Sequence, residues 1–238
     1  MKYISEIQWK FLFQKTYFRL CEGSIGTIGK NVSIKNSRII ITQGSKIVIG
    51  NNVRLENCVI SVANGSLTIG DHTIIGDSDN SPLLNIERGE IQVGHHTKIN
   101  AKRFWVRYGG IASVGNYTNI NANSEVRCDE KVTIGDYNQI SYGVNIWDTN
   151  THTILPVTER RELTKKYYPY FGKELSKPLT SPVFIGDDCW LGQGTAILKG
   201  STLGNGVIVG YGTVIPGKVI PSNSTVVMDV CLKIKERI

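Results

Sequence analysis

No stretch of this sequence is apolar for long enough to cross a bilayer, and it holds no CxxC pair, GxSxG motif, RNP-type segment or zinc-finger spacing. The first absence excludes a transmembrane helix. The others exclude a thiol redox motif, an α/β-hydrolase nucleophile elbow and the common nucleic-acid modules. The five cysteines, at 21, 58, 128, 189 and 231, are odd in number. They read as buried thiols of a reducing compartment, which places the chain in the cytoplasm. Histidine is scarce, with four residues.

The first 22 residues, MKYISEIQWKFLFQKTYFRLCE, are aromatic, but Glu6, Lys10, Lys15 and Arg19 interrupt them. That spacing excludes a signal-peptide core. It leaves a cap over an open end, or a helix making at most peripheral membrane contact. What is plentiful is positive charge: the formal net charge is +7 and the sequence pI is about 9.1. The balance implies an anionic partner. With no nucleic-acid motif present, an anionic cofactor or an acidic glycan accounts for it.

Glycine is also plentiful, and its spacing organises the chain. From Ile185 the sequence reads in sixes. Aliphatic residues open each at Ile185, Leu191, Ile197, Leu203, Val209 and Ile215, and a small or β-branched residue takes each fifth place, at Cys189, Thr195, Ser201, Val207, Thr213 and Val219. A period of six is neither helical nor simple strand alternation. It fits a short flat strand plus a corner, with three sides to a coil and the coils stacked as a solenoid. Aliphatic ladders then rise inside at about 4.8 Å per rung.

Ile/Val-Gly pairs also begin at 28, 49, 69, 93, 114 and 134, so the steps to 185 and 203 are 21, 20, 24, 21, 20, 51 and 18. Eighteen residues make one coil, and the step of 51 hides one long insertion. The expected architecture is an all-β parallel β-helix. Its cap is 1–23, its solenoid 24–227 with an inserted arm at 147–182, and its C-terminal helix 228–238. The arm, with Tyr167, Tyr168, Tyr170, Phe171 and four prolines, reads as an extended segment too apolar to be a free linker.

The repeat sorts the histidines. His72, His95 and His96 fall on outward corners. His72 and His96 share a column, but a third metal ligand is missing, so no metal is expected. His152 opens the arm, among Trp147, Asp148, Asn150 and Thr151. A neutral imidazole at the one break in a scaffold is a natural base for a hydroxyl. Without a covalent nucleophile beside it, direct attack by a substrate hydroxyl follows. Asp148, Glu174 or a backbone carbonyl could orient the ring.

The hexapeptides, the loop histidine and Pro182-Val-Phe-Ile-Gly-Asp-Asp-Cys-Trp-Leu-Gly resemble the left-handed β-helix O-acetyltransferases. These include the maltose and galactoside enzymes and the capsule and polysialate enzymes. The resemblance is strong over 114–227 and looser before it. It implies a left-handed coil, acetyl-CoA as donor, a homotrimer with sites between subunits, and His152 as the catalytic base. Asn121 of Asn121-Ala-Asn123 matches a substrate-contacting asparagine, and Trp147 and Asp148 join it on the acceptor side. Trp190 and, approximately, Lys218 match the cofactor side, where the bare glycine corners at Gly192 and Gly210 would let the cofactor approach backbone amides closely. The departures are Asp229-Val-Cys231-Leu in place of Gly-x-Pro-Ala and an arm that does not align residue by residue.

The expected activity is acetyl transfer to a sugar hydroxyl of a bacterial surface polysaccharide or its precursor. The competing readings are an amino-sugar or antibiotic acetyltransferase, a metal-dependent carbonic anhydrase on the same solenoid, and a non-catalytic scaffold. Consumption of the thioester separates enzyme from scaffold, and a metal assay separates the anhydrase.

Overall fold

The computed structural model describes residues 16–42, 44–169 and 176–229. Within them the chain is a parallel β-solenoid of about ten turns with one helix. Each coil has three short sides. The rows of glycine-led residues stack as the spacing requires. Ile28 pairs with Ile49, Ile49 with Ile69, Ile69 with Val93, Val93 with Val114 and Val114 with Ile134. Ile134 then pairs with Ile185 across the insertion, and Ile185 with Leu203. This row is the second side. The first side carries the buried row Ile39, Ile60, Leu84, Phe104, Val126, Ile146, Ile197 and Ile215, and the third carries Ile34, Leu55, Ile75, Ile99, Ile120, Ile140, Leu191 and Val209. Together they make one continuous apolar core.

Several small inward residues at the corners keep their polar atoms satisfied, whereas the buried hydroxyls of Thr195 and Thr213 have no partner among the described residues. Thr73, Thr97 and Thr118 are buried, and each hydroxyl donates to a glycine carbonyl one coil on, at 2.7, 2.7 and 2.8 Å. The glycine of each Ile/Val-Gly pair is required by crowding between coils. A Cβ on Gly115 would overlap the Asp136 carboxylate and the Gly135 backbone. The residue after that glycine caps the previous coil. Asn51 Oδ1 accepts from the Lys30 amide at 2.8 Å, Asp71 Oδ1 from Asn51 at 2.7 Å, and Asp136 Oδ1 from Asn116 at 2.7 Å. Asp187 and Asn205 continue the series at 2.8 and 3.0 Å.

The structure departs from the sequence expectations in three places. Strand Tyr17–Leu20 pairs in register with Arg38–Ile41, so the solenoid begins inside the stretch expected to be the cap. Val219, expected inward, is 75% exposed. One corner residue is missing there: Leu203 pairs with Ile220, 17 residues on, which turns Val219 out beside Thr202. The arm is not simply extended, because Val157–Tyr167 forms a helix, α1. None of its side chains is buried. It is held by local charge, with Glu159 in the first turn, Lys165 and Lys166 in the last, and a Glu162–Lys165 pair at 2.9 Å. Such a helix has no apolar periodicity to reveal it. Residues 1–15, Tyr170, Phe171, Glu174, Cys231 and the expected helix beyond 229 lie outside the described residues.

Candidate active site

The arm leaves and rejoins the solenoid at the corner between the first and second sides. Its two strands meet at an antiparallel bridge, Thr149 with Thr180. Asn150 donates to the Leu179 carbonyl at 3.0 Å and Ser181 to the Asp148 carbonyl at 2.9 Å. His152 stands two residues past this neck and is exposed. Its amide donates to the Asn150 carbonyl at 2.7 Å, and the buried Thr151 before it takes φ 65°. The histidine is therefore carried on a short, backbone-bonded turn.

A buried ion pair sits beneath that turn. Arg107 grips Asp129 with two hydrogen bonds, Nε to Oδ1 at 2.8 Å and an outer nitrogen to Oδ2 at 2.7 Å. The guanidinium also donates to the Thr151 carbonyl at 3.3 Å, and Thr149 Oγ1 donates to Asp129 Oδ2 at 2.7 Å. Arg107 and Asp129 thus tie the neck to the preceding coils. Neither stands out in the sequence. Their separation of 22 residues is the usable signal, since it is one widened coil and stacks the two corners.

Asp148 serves the same neck. It is fully buried, and its carboxylate accepts from the amides of Asp129, Glu130 and Lys131 at 2.8, 2.8 and 2.7 Å. Burial pushes its carboxyl above the usual range, against the pull of those three amides. With both oxygens held by the corner, Asp148 braces the base of the arm. The side chain of Trp147 stacks with Arg127, at 5.0 Å, and Arg127 lies 5.9 Å from Trp105. Its Nε1 is buried with no acceptor among the described residues.

Cys58, Cys128 and Cys189 are buried and make poor nucleophiles. Burial pushes the Cys58 thiol up to about 11 and raises those of Cys128 and Cys189, so all three stay protonated at neutral pH. Among the described residues no group of three or more metal-ligating side chains is assembled.

The other expected site residues divide between two corners. Lys218 is exposed on the corner that launches the arm, two coils beyond it, and its carbonyl accepts from Thr202 at 2.9 Å. Asn121, Gly192 and Gly210 lie on the corner between the third and first sides. There Asn121 Nδ2 donates to the Ile140 carbonyl at 3.1 Å. Trp190, on the third side, is 58% exposed, and Tyr142 and Tyr211 flank the glycine corners, with Tyr211 80% exposed. A Cβ on Gly192 would crowd the Val209 carbonyl and the Tyr211 amide. Bare backbone beside exposed aromatic surface suits an extended, partly apolar cofactor arm. Within one chain the first side separates this set from His152.

The architecture is the left-handed β-helix of hexapeptide-repeat proteins. The solved structure of the polySia-specific acetyltransferase NeuO superposes with a TM-score of 0.55 at 18% identity, covering 92% of this chain and 83% of that one. The family model for the bacterial transferase hexapeptide (six repeats) matches residues 182–217. Among curated proteins, the chain is 30% identical over 125 residues to WbbJ of Escherichia coli (strain K12), named as a lipopolysaccharide biosynthesis O-acetyl transferase. That match covers 52% of this chain and 60% of the relative's length. It is 25% identical over 140 residues to WcaF of the same organism, named as a colanic acid biosynthesis acetyltransferase, covering 58% of this chain and 75% of that one. Among the described residues, no helix is long and apolar enough to cross a membrane.

Proposed function

We propose that this protein is an O-acetyltransferase that uses acetyl-CoA to acetylate a sugar hydroxyl of a bacterial surface polysaccharide or its precursor in the cytoplasm. The observation that carries the proposal is the single break in an otherwise regular hexapeptide solenoid, which holds exposed His152 on a braced turn. The named activities of the relatives support the same reaction class. His152 accepts the proton of the attacking hydroxyl, and no group of the protein becomes acylated. The donor supplies an activated acetyl group. Trp190, Gly192 and Gly210 line its groove, and Lys218 holds an anionic part of it as a point charge. Asn121 and Trp147 stand on the acceptor side.

The division of these residues between two corners leads to a homotrimer. Closed cyclic symmetry sets the arm corner of one subunit against the glycine corner of the next and completes the site. It also covers exposed apolar groups such as Ile154 and Tyr168 of the arm, at 81% and 71%. Light scattering at micromolar concentration should give three times the 26.3 kDa chain mass. A monomer would remove the composite site. The activity itself is tested by thiol release from acetyl-CoA against a panel of bacterial glycans and monosaccharides. Release dependent on a glycan supports the proposal, and release only with amino sugars or antibiotics assigns the other acceptor class. No acceptor-dependent release would leave the scaffold reading.

A further inference from the structure

The corner between the second and third sides follows a rule that one residue breaks. At six rungs a side-chain oxygen of the residue after the glycine accepts from an amide of the previous coil, at Asn51, Asp71, Asn116, Asp136, Asp187 and Asn205, and Ser222, after Pro221, does the same at a seventh. His95 occupies the place between Asp71 and Asn116. Its ring turns sideways, with Nδ1 lying 3.0 Å from Nδ1 of His96, and the Asp71 amide has no acceptor among the described residues. A notch of about 580 Å³ opens there, lined by Gly70, Asp71, His72, Gly94, His95, His96 and Asn116. The sequence gives up a structural hydrogen bond and places two imidazoles in its stead.

We propose that this notch binds a divalent transition-metal ion, with Nδ1 of His95 and Nδ1 of His96 as its protein ligands. Two nitrogens about 2.1 Å from one metal stand about 3.0 Å apart when they meet at a right angle, and about 3.4 Å apart in a tetrahedron. The observed separation is the right-angle value, so octahedral or square-planar ions such as Ni²⁺ or Cu²⁺ fit better than Zn²⁺. Binding moves the proton that the two nitrogens otherwise share to Nε2 of its own ring, which leaves both Nδ1 lone pairs for the metal. Water fills the remaining positions, since no third side-chain ligand is preassembled among the described residues.

The surroundings fix the sign of the ligand. Asp71 lies close enough to interact electrostatically with His95, and its carboxyl is held below the usual range by hydrogen bonds from the Asn51 amide and side chain. A standing carboxylate beside the two imidazole nitrogens favours a cation over an anion. The rings are also fixed in place: His96 stacks between His72 and Tyr117, with centroids 4.6 and 4.8 Å away. The site is on a different corner from the arm, so the proposal does not depend on the acetyl-transfer reading.

The test uses variants that keep the fold. Asparagine is one of the two residues the ladder mainly uses at this place, and it tolerates the φ of 54° that His96 adopts. Titration calorimetry of the full chain with NiCl₂ at neutral pH should show one ion per chain. His95→Asn and His96→Asn should each weaken binding by at least about 100-fold, because even changes behind a ligand cost about 10–100-fold. His152→Ala should leave the affinity unchanged. With EDTA present, His95→Asn should also raise Tm by about 2–4 °C, as one restored hydrogen bond in a chain of this size would. The proposal is overturned if the parent chain takes up no Ni²⁺, or if His95→Asn binds as the parent does. A lower Tm for His95→Asn would also overturn it, since the rung would then not be vacant. Sulfate binding without Ni²⁺ binding would assign the notch to anions instead.

Discussion

Replacing His152 with alanine is expected to lower turnover by about 10²–10⁴-fold, the range that general-base assistance spans. Folding and donor affinity should stay at parent values, because His152 is exposed and its amide, which alanine keeps, makes the bond to Asn150. Steady-state thiol release separates the outcomes: a fall in kcat with unchanged KM for acetyl-CoA marks a group acting on the attacking hydroxyl. A rise in KM alone would move His152 from base to binding residue. Alanine at His72 should leave turnover near the parent value, since that ring stands on another corner. An active His152→Ala enzyme would end the proposed mechanism.

The second large effect is expected at the neck. Asp129→Ala leaves the Arg107 guanidinium buried without its carboxylate, and breaking such a pair costs about 3–5 kcal/mol. For a chain of this length that corresponds to a fall in Tm of roughly 6–20 °C. The same change removes the acceptor of the Thr149 hydroxyl and loosens the turn carrying His152, so activity should fall even where the fold persists. A double variant, Arg107→Leu with Asp129→Leu, should recover much of the stability, because apolar replacement removes both desolvated charges. Thermal melts of the single and double variants decide the point. A single variant that melts with the parent would show that the pair does not hold the neck.

The sequence disclosed the scaffold because a solenoid repeats one short-range rule. An aliphatic residue followed by glycine marks a rung, and the second-side pairs from Ile28 to Leu203 stack each on the next. Even the step of 51 was legible, since Ile134 pairs with Ile185 whatever lies between. Position is harder to read where one residue is lost or where local charge replaces periodicity. Val219 turned outward for the first reason and α1 was missed for the second. The candidate site was legible as a place, from His152 at the break. Its braces were not. Arg107, Asp129 and Asp148 act through hydrogen bonds between coils, and corner residues that bond across a coil carry no pattern of their own. The vacant rung at His95 becomes visible only once the ladder around it is drawn.

The bridge between Thr149 and Thr180 has a consequence for how such a chain can change. It brings both ends of the arm together over an uninterrupted stack. Ile146 meets Ile197, beyond the arm, in the same register in which Val126 meets Ile146 before it. Lengthening a segment whose ends are already joined adds only about 0.6 kcal/mol of closure entropy per doubling. The arm is thus an exchangeable cassette: its length, charge and helix can be rewritten while the coils below register no difference. On the proposed reading, acceptor preference can drift in the cassette as the donor groove stays fixed in the coils.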